Sequence, residues 1–319
     1  MIMKTLLRLA SKQCGRTAPN PVTAAAVVRD GQVISTGVHQ GAGLPHAEIE
    51  ALKKAGSSAK GATLYVNLEP CTHWGKTPPC TDAIIKAGIA KVVYAIDDPN
   101  PTVRKNPARQ ILEGAGIQVE SGVMRDEALL VNEVFFKNQL FQKPFVTMKV
   151  GMSLDGKIAL ESGESKYITS LPSRRLVHRM RAQTGAILVG VNTMAIDKPK
   201  LDVRLAPAGS PQPKIIEVNP RELNWDDFLK NLYREGICSV LIEGGNKVYT
   251  SALEAGVIDK LVCFIAPKIL AGDKSLSVFG GKGVPTLDRA YALSHVSVRR
   301  AGNDIVATGY LNDPLHWRH

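Results

Sequence analysis

Apolar positions in the first half of the chain alternate between helical and strand spacing. Helical spacing at the N-terminus predicts one apolar helix face made of Met3, Leu6, Leu7 and Ala10. Two apolar runs that flank a polar turn predict a β-hairpin over 24–34. Further helices are predicted over 46–54, 81–87 and 108–115, and further strands over 62–68, 91–96 and 117–119. This alternation is typical of a layered α/β domain.

The second half restarts the alternation after a polar segment with a proline at 138–144. We place a domain boundary there and predict two domains, 1–143 and 144–319, which suits a chain of 319 residues. Predicted strands cover 144–150, 186–191, 214–218, 239–242 and 258–265, and predicted helices cover 173–183 and 225–232. A further helix is predicted after Glu243-Gly244-Gly245.

The composition is that of an ordinary globular protein, with 44% hydrophobic and 22% charged residues. No apolar run approaches the ~18 residues of a transmembrane helix, so no membrane partner is expected. The formal net charge of +11 indicates an anionic partner. Nucleic acid and phosphorylated small molecules both fit that charge, which does not choose between them.

Cysteine usage favours a reducing compartment. The chain has five cysteines, an odd number and too few for a disulfide framework, and only Cys71 and Cys80 lie close together. We therefore expect a cytoplasmic protein with one thiolate metal site. The N-terminus has no acidic residue before Asp30, as in transit peptides. Its amphipathic pattern runs directly into motif-bearing sequence, however, and favours an ordinary first helix.

The strongest chemical signal combines His46 and Glu48 with Cys71 and Cys80. One imidazole and two thiolates are the ligands of a catalytic zinc, which keeps its fourth position for water. Glu48, two residues after His46, is the expected catalytic carboxylate, because it can move a proton from that water to a leaving amine. Cys71 is expected to open the following helix, whose positive end favours a thiolate. The sequence thus predicts one Zn²⁺ per chain.

This pattern resembles the signature of zinc-dependent cytidine and nucleoside deaminases. Deaminases of polynucleotide bases typically have two residues between the cysteines, whereas eight lie between Cys71 and Cys80. The stretch 69–80 closely resembles the bifunctional deaminase/reductase family of riboflavin biosynthesis. Further matches extend this resemblance over the first half: Pro19-Asn20-Pro21, His39, Gly61-Ala62-Thr63 and Asp98-Pro99-Asn100-Pro101.

The resemblance implies an N-terminal cytidine-deaminase-like domain with a three-layer α/β/α fold. Its substrate would be a phosphorylated pyrimidine, 2,5-diamino-6-ribosylamino-4(3H)-pyrimidinone 5′-phosphate. The implied substrate contacts are Asn20, His39, His73 and Lys76. An asparagine amide can pair with a pyrimidine edge, and His73 and Lys76 suit a phosphate.

The stretches 149–157 and 162–170 resemble the reductase domain of the same family, which has a dihydrofolate-reductase-like α/β fold and uses NADPH. A strand that ends in two glycines before a helix also suits a pyrophosphate. The implied NADPH contacts are Gly151, Tyr167, Thr193, Asp197, Gly245, Asn246, Lys247, Val248, Tyr249, Thr250 and Ser251. The implied substrate contacts are Ser165, Arg181, Leu201, Arg204 and Glu243.

We therefore expect a two-domain enzyme, a zinc-dependent hydrolase and an NADPH-dependent oxidoreductase, that forms a homo-oligomer, either a dimer or a tetramer. The chain departs from the family at Thr23-Ala24 and at 104–107, and it lacks a strand–helix–strand stretch between Arg204 and Arg234. Three alternatives stay open. One is a deaminase with an inactive reductase domain. Another is a nucleic-acid base deaminase or binder, which the positive charge favours and the cysteine spacing opposes. The third is a structural homologue without catalytic activity, which would hold no zinc.

Overall fold

The computed structural model describes residues 1–75 and 77–317. This part of the chain forms two compact units, Met1–Phe141 with Trp317, and Gln142–His316. Both units combine helices with a β-sheet, as the sequence predicted. Within the described residues, no helix is both long and apolar enough to cross a bilayer.

The first unit contains a five-stranded mixed sheet with the strand order β2-β1-β3-β4-β5. Strand β1 is antiparallel to both of its neighbours, whereas β3, β4 and β5 run parallel. The elements in chain order are α1 (Ile2–Ser11), β1 (Ala24–Arg29), β2 (Gln32–Val38), α2 (Ala47–Ala55), β3 (Thr63–Val66), α3 (Cys80–Lys86), β4 (Lys91–Tyr94), α4 (Pro101–Lys105), α5 (Ala108–Gly114), β5 (Gln118–Ser121), α6 (Arg125–Val131) and α7 (Glu133–Phe141).

The predicted N-terminal helix and hairpin are confirmed. The four apolar residues predicted to share a face of α1 are all buried: Met3, Leu6, Leu7 and Ala10. Helix α7 differs from the expectation of a polar linker, because it continues to Phe141. Phe135, Phe136 and Asn138 are buried in this helix, so its inward face extends past the point where the sequence turns polar.

Helix α2 lies unusually close to the sheet at Gly37 of strand β2. A Cβ atom built on Gly37 would stand 2.0 Å from the carbonyl oxygen of Ala47 and 2.5 Å from the amide nitrogen of Ala51. Since no Cβ atom tolerates such distances to backbone, only glycine allows this contact. The contact fixes the position of the first turn of α2.

Two buried asparagines hold the segment that precedes β1. The Asn67 side chain accepts a hydrogen bond from the Ala24 amide (2.7 Å) and donates one to the Val22 carbonyl (3.0 Å). The Asn132 side chain accepts from the Val22 amide at 2.8 Å and donates to its carbonyl at 3.2 Å. Side chains thus satisfy backbone groups that no strand partner pairs, and they fix the chain next to Asn20.

The second unit contains a seven-stranded sheet with the order β13-β14-β11-β6-β10-β8-β9. The strands from β11 to β9 are parallel, and β14 and β13 add an antiparallel edge. The elements are β6 (Phe145–Ser153), β7 (Lys157–Ala159), α8 (Leu171–Ala182), β8 (Ala186–Gly190), α9 (Val191–Asp197), β9 (Lys214–Val218), α10 (Trp225–Arg234), β10 (Ser239–Ile242), α11 (Asn246–Glu254), β11 (Lys260–Ala266), β12 (Leu276–Ser277), β13 (Ser294–Ala301) and β14 (Asp304–Tyr310).

The N-terminus of helix α8 is bound by a carboxylate from a strand much later in the sequence. The Oδ2 atom of Asp304, the first residue of β14, accepts hydrogen bonds from the Ser170 amide (2.7 Å), the Ser170 hydroxyl (2.7 Å) and the Ser173 hydroxyl (2.5 Å). Asp304 is 2% exposed. The Asp304 carboxylate stabilises the N-terminus of α8, and the three hydrogen-bond donors in turn stabilise the buried carboxylate.

We predict that Gly37→Ala destabilises the first unit and weakens its metal binding, because the new methyl group must push α2 away from β2. Overpacking of this kind costs about 1–3 kcal/mol of folding free energy. Thermal unfolding and the zinc content of the purified variant measure the two effects. Gly114→Ala is the matched control, since a Cβ atom on Gly114 meets no atom within 4 Å. Equal melting temperatures and zinc contents for the two variants would contradict the prediction.

Candidate active sites

Three predicted metal ligands converge in the first unit. His46 is the N-cap residue of α2, Cys80 is the first residue of α3, and Cys71 lies in the loop after β3. The Nδ1 atom of His46 is 3.2 Å from Cys80 Sγ and 3.5 Å from Cys71 Sγ. The three ligand atoms all lie within 4.8 Å of one another, and no other group of this kind is found among the described residues.

This geometry fits zinc. A tetrahedral zinc with ordinary Zn–N and Zn–S bonds places its nitrogen and sulfur ligands roughly 3.5 Å apart. Both His46–cysteine distances are close to that value. An imidazole with two thiolates is also the soft ligand set that zinc prefers over magnesium or calcium. The three side chains would therefore hold one Zn²⁺ and leave its fourth position open.

The expectation that Cys71 opens a helix is wrong. Helix α3 begins at Cys80, directly after Pro78 and Pro79, because each proline disfavours helical backbone in the residue before it. The helix start still reaches Cys71, since the Cys80 amide donates a hydrogen bond to its sulfur at 3.3 Å. Both cysteines thus benefit from the positive end of α3.

Hydrogen bonds among the ligands separate the acidities of the two thiols. The hydrogen bond from the Cys80 thiol, together with one from His46, lowers the pKa of Cys71. The same thiol–thiol hydrogen bond and burial raise the pKa of Cys80. The hydrogen bond to Cys71 raises the pKa of His46. Zinc binding would displace any proton on these ligand atoms, because a metal is bound by neutral imidazole nitrogen and by thiolate sulfur.

Glu48 lies in the first turn of α2, and only 5% of its surface is exposed. Burial raises the pKa of its carboxyl group, and the neighbouring Cys71 raises it further. A raised pKa makes a carboxylate a better proton acceptor, and the resulting carboxylic acid can return the proton. The sequence motif led us to expect this proton-transfer property of Glu48.

A cavity of about 280 Å³ opens beside these residues. It is lined by His46, Glu48 and Cys71 and by three of the predicted substrate contacts, Asn20, His39 and His73. The Asn20 amide lies 3.1 Å from His39 Nε2, and His39 Nδ1 lies 3.0 Å from the Pro45 carbonyl. Burial lowers the pKa of His39, which favours a neutral ring. The ring proton then lies on Nδ1, because the Pro45 carbonyl accepts a hydrogen bond there. Lys76, the fourth predicted contact, lies outside the described residues.

Several residues around this cavity were not predicted from the sequence. Asp98 and Gln139 line it, and the Thr77 hydroxyl lies 3.4 Å from His46 Nε2. Burial raises the pKa of Asp98 to about 7. The sequence motif 98–101 contains Asp98 but assigns it no role in a site. Gln139 lies on α7, which the sequence had not predicted as a helix.

The second unit has a larger cavity, of about 620 Å³, at the carboxyl ends of β6, β8 and β10. Two glycines allow α11 to pack closely against these strand ends: a Cβ atom on Gly190 would come within 2.9 Å of the Val248 side chain, and one on Gly244 within 2.8 Å. Ligands of parallel α/β sheets bind in such a crevice. The cavity is therefore a suitable site for an extended cofactor.

Most predicted reductase contacts line this cavity. They are Gly151, Ser165, Tyr167, Arg181, Thr193, Asp197, Leu201, Arg204, Gly245, Asn246, Lys247, Val248 and Tyr249. Glu243, Thr250 and Ser251 are not among its lining residues. The Ser251 hydroxyl accepts a hydrogen bond from the Trp225 indole at 2.9 Å, and the Thr250 hydroxyl accepts one from the Gly280 amide at 2.9 Å.

Glu243 is buried beneath the cavity between two cations. Arg181 donates to both of its carboxylate oxygens, at 2.5 and 2.9 Å, and Lys149 Nζ lies 2.8 Å away. Burial alone raises the pKa of Glu243, but the charges of Lys149 and Arg181 outweigh it and lower the value to about 2. Glu243 therefore stays ionised and fixes the orientation of Arg181, whose Nη1 also donates to the Asp202 carbonyl at 3.0 Å.

Comparison with known protein families gives a match for each unit. The cytidine and deoxycytidylate deaminase zinc-binding region matches residues 1–96. The RibD C-terminal domain matches residues 144–221 and 210–307. These two segments overlap at 210–221, within the stretch where the sequence is shorter than the family pattern.

The chain is similar over nearly its whole length to riboflavin biosynthesis proteins. It is 39% identical to RibD of Aquifex aeolicus, with 95% of this chain and 96% of the relative covered. It is 35% identical to RibD of Escherichia coli K12, again with 95% and 96% covered. A solved structure of a Thermotoga maritima diaminohydroxyphosphoribosylaminopyrimidine deaminase/5-amino-6-(5-phosphoribosylamino)uracil reductase is similar with a TM-score of 0.87, 34% identity and 97% of each chain covered. Because these matches span both units, the chain belongs to the RibD family, the bifunctional deaminase/reductases of riboflavin biosynthesis.

Proposed function

We propose that the two cavities carry out consecutive steps on one phosphorylated pyrimidine. The first removes an amino group from 2,5-diamino-6-ribosylamino-4(3H)-pyrimidinone 5′-phosphate by hydrolysis. The second reduces the ribosyl side chain to ribityl with NADPH. The observation that carries this proposal is the convergence of His46, Cys71 and Cys80 beside the buried Glu48 in a substrate-sized cavity.

In the first cavity, zinc held by the three ligands would supply a Lewis acid that makes water nucleophilic at neutral pH. Glu48 then accepts a proton from the attacking water and delivers it to the leaving amino group, so that one water is consumed and ammonia is released. Asn20 and His39 form one hydrogen-bonded pair, which orients the pyrimidine edge. His73 lines the same cavity and suits the substrate phosphate. Lys76 is proposed to join it there.

In the second cavity, NADPH would supply the hydride when bound. The N-terminal amides of α11, which follow Gly245, point to the pyrophosphate, while Gly151, Tyr167, Thr193 and Asp197 contact the rest of the cofactor. We assign residues 245–249 to this cofactor site, whereas Thr250 and Ser251, which the sequence also predicted as contacts, do not line the cavity. Ser165, Leu201 and Arg204 are assigned to the substrate. Arg181 joins them in the orientation that Glu243 imposes.

The proposed assembly is a cytoplasmic homo-oligomer, either a dimer or a tetramer, that acts on small molecules and not on nucleic acid. The five free thiols suit a reducing compartment. Strand β13 is an edge of the described seven-stranded sheet, and Val296 and Val298 on it are 58% and 66% exposed. Exposed apolar edge strands pair with another chain unless they are covered, which supports self-association.

A coupled assay of the purified full chain with the diaminopyrimidine substrate tests both activities. We expect ammonia release without NADPH, because the first site needs no reductant. We expect NADPH oxidation only after deamination, because the second site acts on the deaminated product. Ammonia release without NADPH oxidation would show that the second unit is inactive. Absence of both in zinc-loaded protein would contradict the proposed function.

We predict that Glu48→Gln abolishes ammonia release while zinc binding is kept, because glutamine cannot carry the proton. The expected loss in kcat is about 10²- to 10⁴-fold. Glu50→Gln is the matched control, since Glu50 lies in the same helical turn and does not line the cavity. Zinc content is measured for both variants by atomic emission. A zinc-loaded Glu48→Gln variant with normal ammonia release would refute the proton-transfer role.

Light scattering of the full chain measures its oligomeric state. We expect a dimer or tetramer for the native sequence and a shift towards monomer for Val298→Lys, because an edge lysine opposes strand pairing. Leu154→Lys, at an exposed apolar position in a turn, serves as the control. A monomeric native chain at assay concentration would contradict the proposed assembly.

A further inference from the structure

Helix α8 presents one face to the reductase cavity. Arg174, Val177, His178 and Arg181 all line the cavity, at the helical spacing of i, i+3, i+4 and i+7. With a rise of 1.5 Å per residue, Arg174 and Arg181 lie about 10 Å apart along the helix axis. The two arginines therefore serve different parts of the cavity.

The two arginines differ in their partners. The donors of Arg181 are committed to Glu243 and to the Asp202 carbonyl. The Arg174 guanidinium makes no hydrogen bond or ion pair with any residue in 1–75 or 77–317, and its Nε atom is buried without a partner. A buried donor that lacks a partner is unfavourable, so the position is complementary to an acceptor on a ligand.

An aromatic ring holds the Arg174 guanidinium in place. The central carbon of the guanidinium lies 4.0 Å from the centroid of the Tyr167 ring, which also lines the cavity. This cation–π contact favours one position of the guanidinium, whose N–H groups make no hydrogen bond to the described residues. This arrangement prepares the fork of donors that binds a phosphate in a bidentate manner.

The charge of the cavity favours a dianionic group. Lys198, Lys200 and Lys247 also line it, and none of them has a carboxylate partner within the described part of the chain. Arg204, in contrast, pairs with Asp202 at 2.6 Å. Arg174 differs from the lysines because its head group is already fixed in one orientation.

We propose that Arg174 binds a phosphate monoester in the reductase cavity. This inference rests on the proposed reductase function, in which both ligands carry such a group: the 5′-phosphate on the ribosyl chain of the substrate, and the 2′-phosphate of NADPH. The shared chemistry is a terminal phosphate dianion held by the stacked guanidinium. Arg174 is thus a ligand-binding residue that the family resemblance did not supply.

Calorimetric titration of the full chain with two matched pairs of probes tests this role. NADP⁺ and NAD⁺ differ by the 2′-phosphate, and ribose 5-phosphate and ribose differ by the 5′-phosphate. For Arg174→Gln we expect about 10- to 100-fold weaker binding of NADP⁺ or of ribose 5-phosphate, with little change for the unphosphorylated partner. The affected pair identifies which phosphate Arg174 binds. Arg174→Lys should lose less, because it keeps the charge without the stacked fork.

Arg175→Gln is the control, since Arg175 is exposed on the same helix and does not line the cavity. Equal weakening of the phosphorylated and unphosphorylated probes would overturn the proposal, because it would show a packing role for Arg174. Affinities that match those of Arg175→Gln would also overturn it. NADPH oxidation by the native chain tests the proposed reductase function separately. If the native chain oxidises NADPH while Arg174→Gln keeps the native phosphate selectivity, only the role of Arg174 is refuted.

Discussion

The deaminase site depends on how closely helix α2 can approach strand β2. The missing side chain of Gly37 allows backbone-to-backbone contact, and that contact fixes the turn that carries His46 and Glu48. A metal ligand and a proton carrier two residues apart can serve one reaction only if this turn is fixed to within a fraction of an ångström. The loop that bears Cys71 and the start of α3 then complete the site around it.

The two units use buried ionisable side chains in different ways. In the first, polar groups are buried beside the reacting atoms, where burial raises the pKa of Glu48 and lowers that of His39. In the second, the buried acid Glu243 is neutralised by Lys149 and Arg181, so its charge serves to orient a cation. Buried carboxyl groups therefore differ in use: Glu48 is proposed to exchange a proton, and Glu243 holds its neighbours in place.

Much of this arrangement could be predicted from the sequence, because short-range patterns determine it. Local spacing predicts the apolar face of α1 and the strands β9 and β10. The residue types and motif context of His46, Cys71 and Cys80 predict the metal-ligand set. The missed features depend on distant contacts. Asn67 and Asn132 act on backbone far away in the chain, Gln139 reaches its cavity from an unpredicted helix, and strand β13 has no buried face to give an alternating pattern.

Asp304 ties the helix that carries Arg174 and Arg181 to a strand 131 residues further along the chain. During synthesis on the ribosome, α8 emerges long before this anchor exists. The reductase cavity can therefore take its final shape only after β14 has been made and has joined the sheet. The ligands of the deaminase site, by contrast, are complete once Cys80 has been synthesised. In the order of synthesis, the anchor of the reductase helix therefore comes well after the metal ligands of the deaminase site.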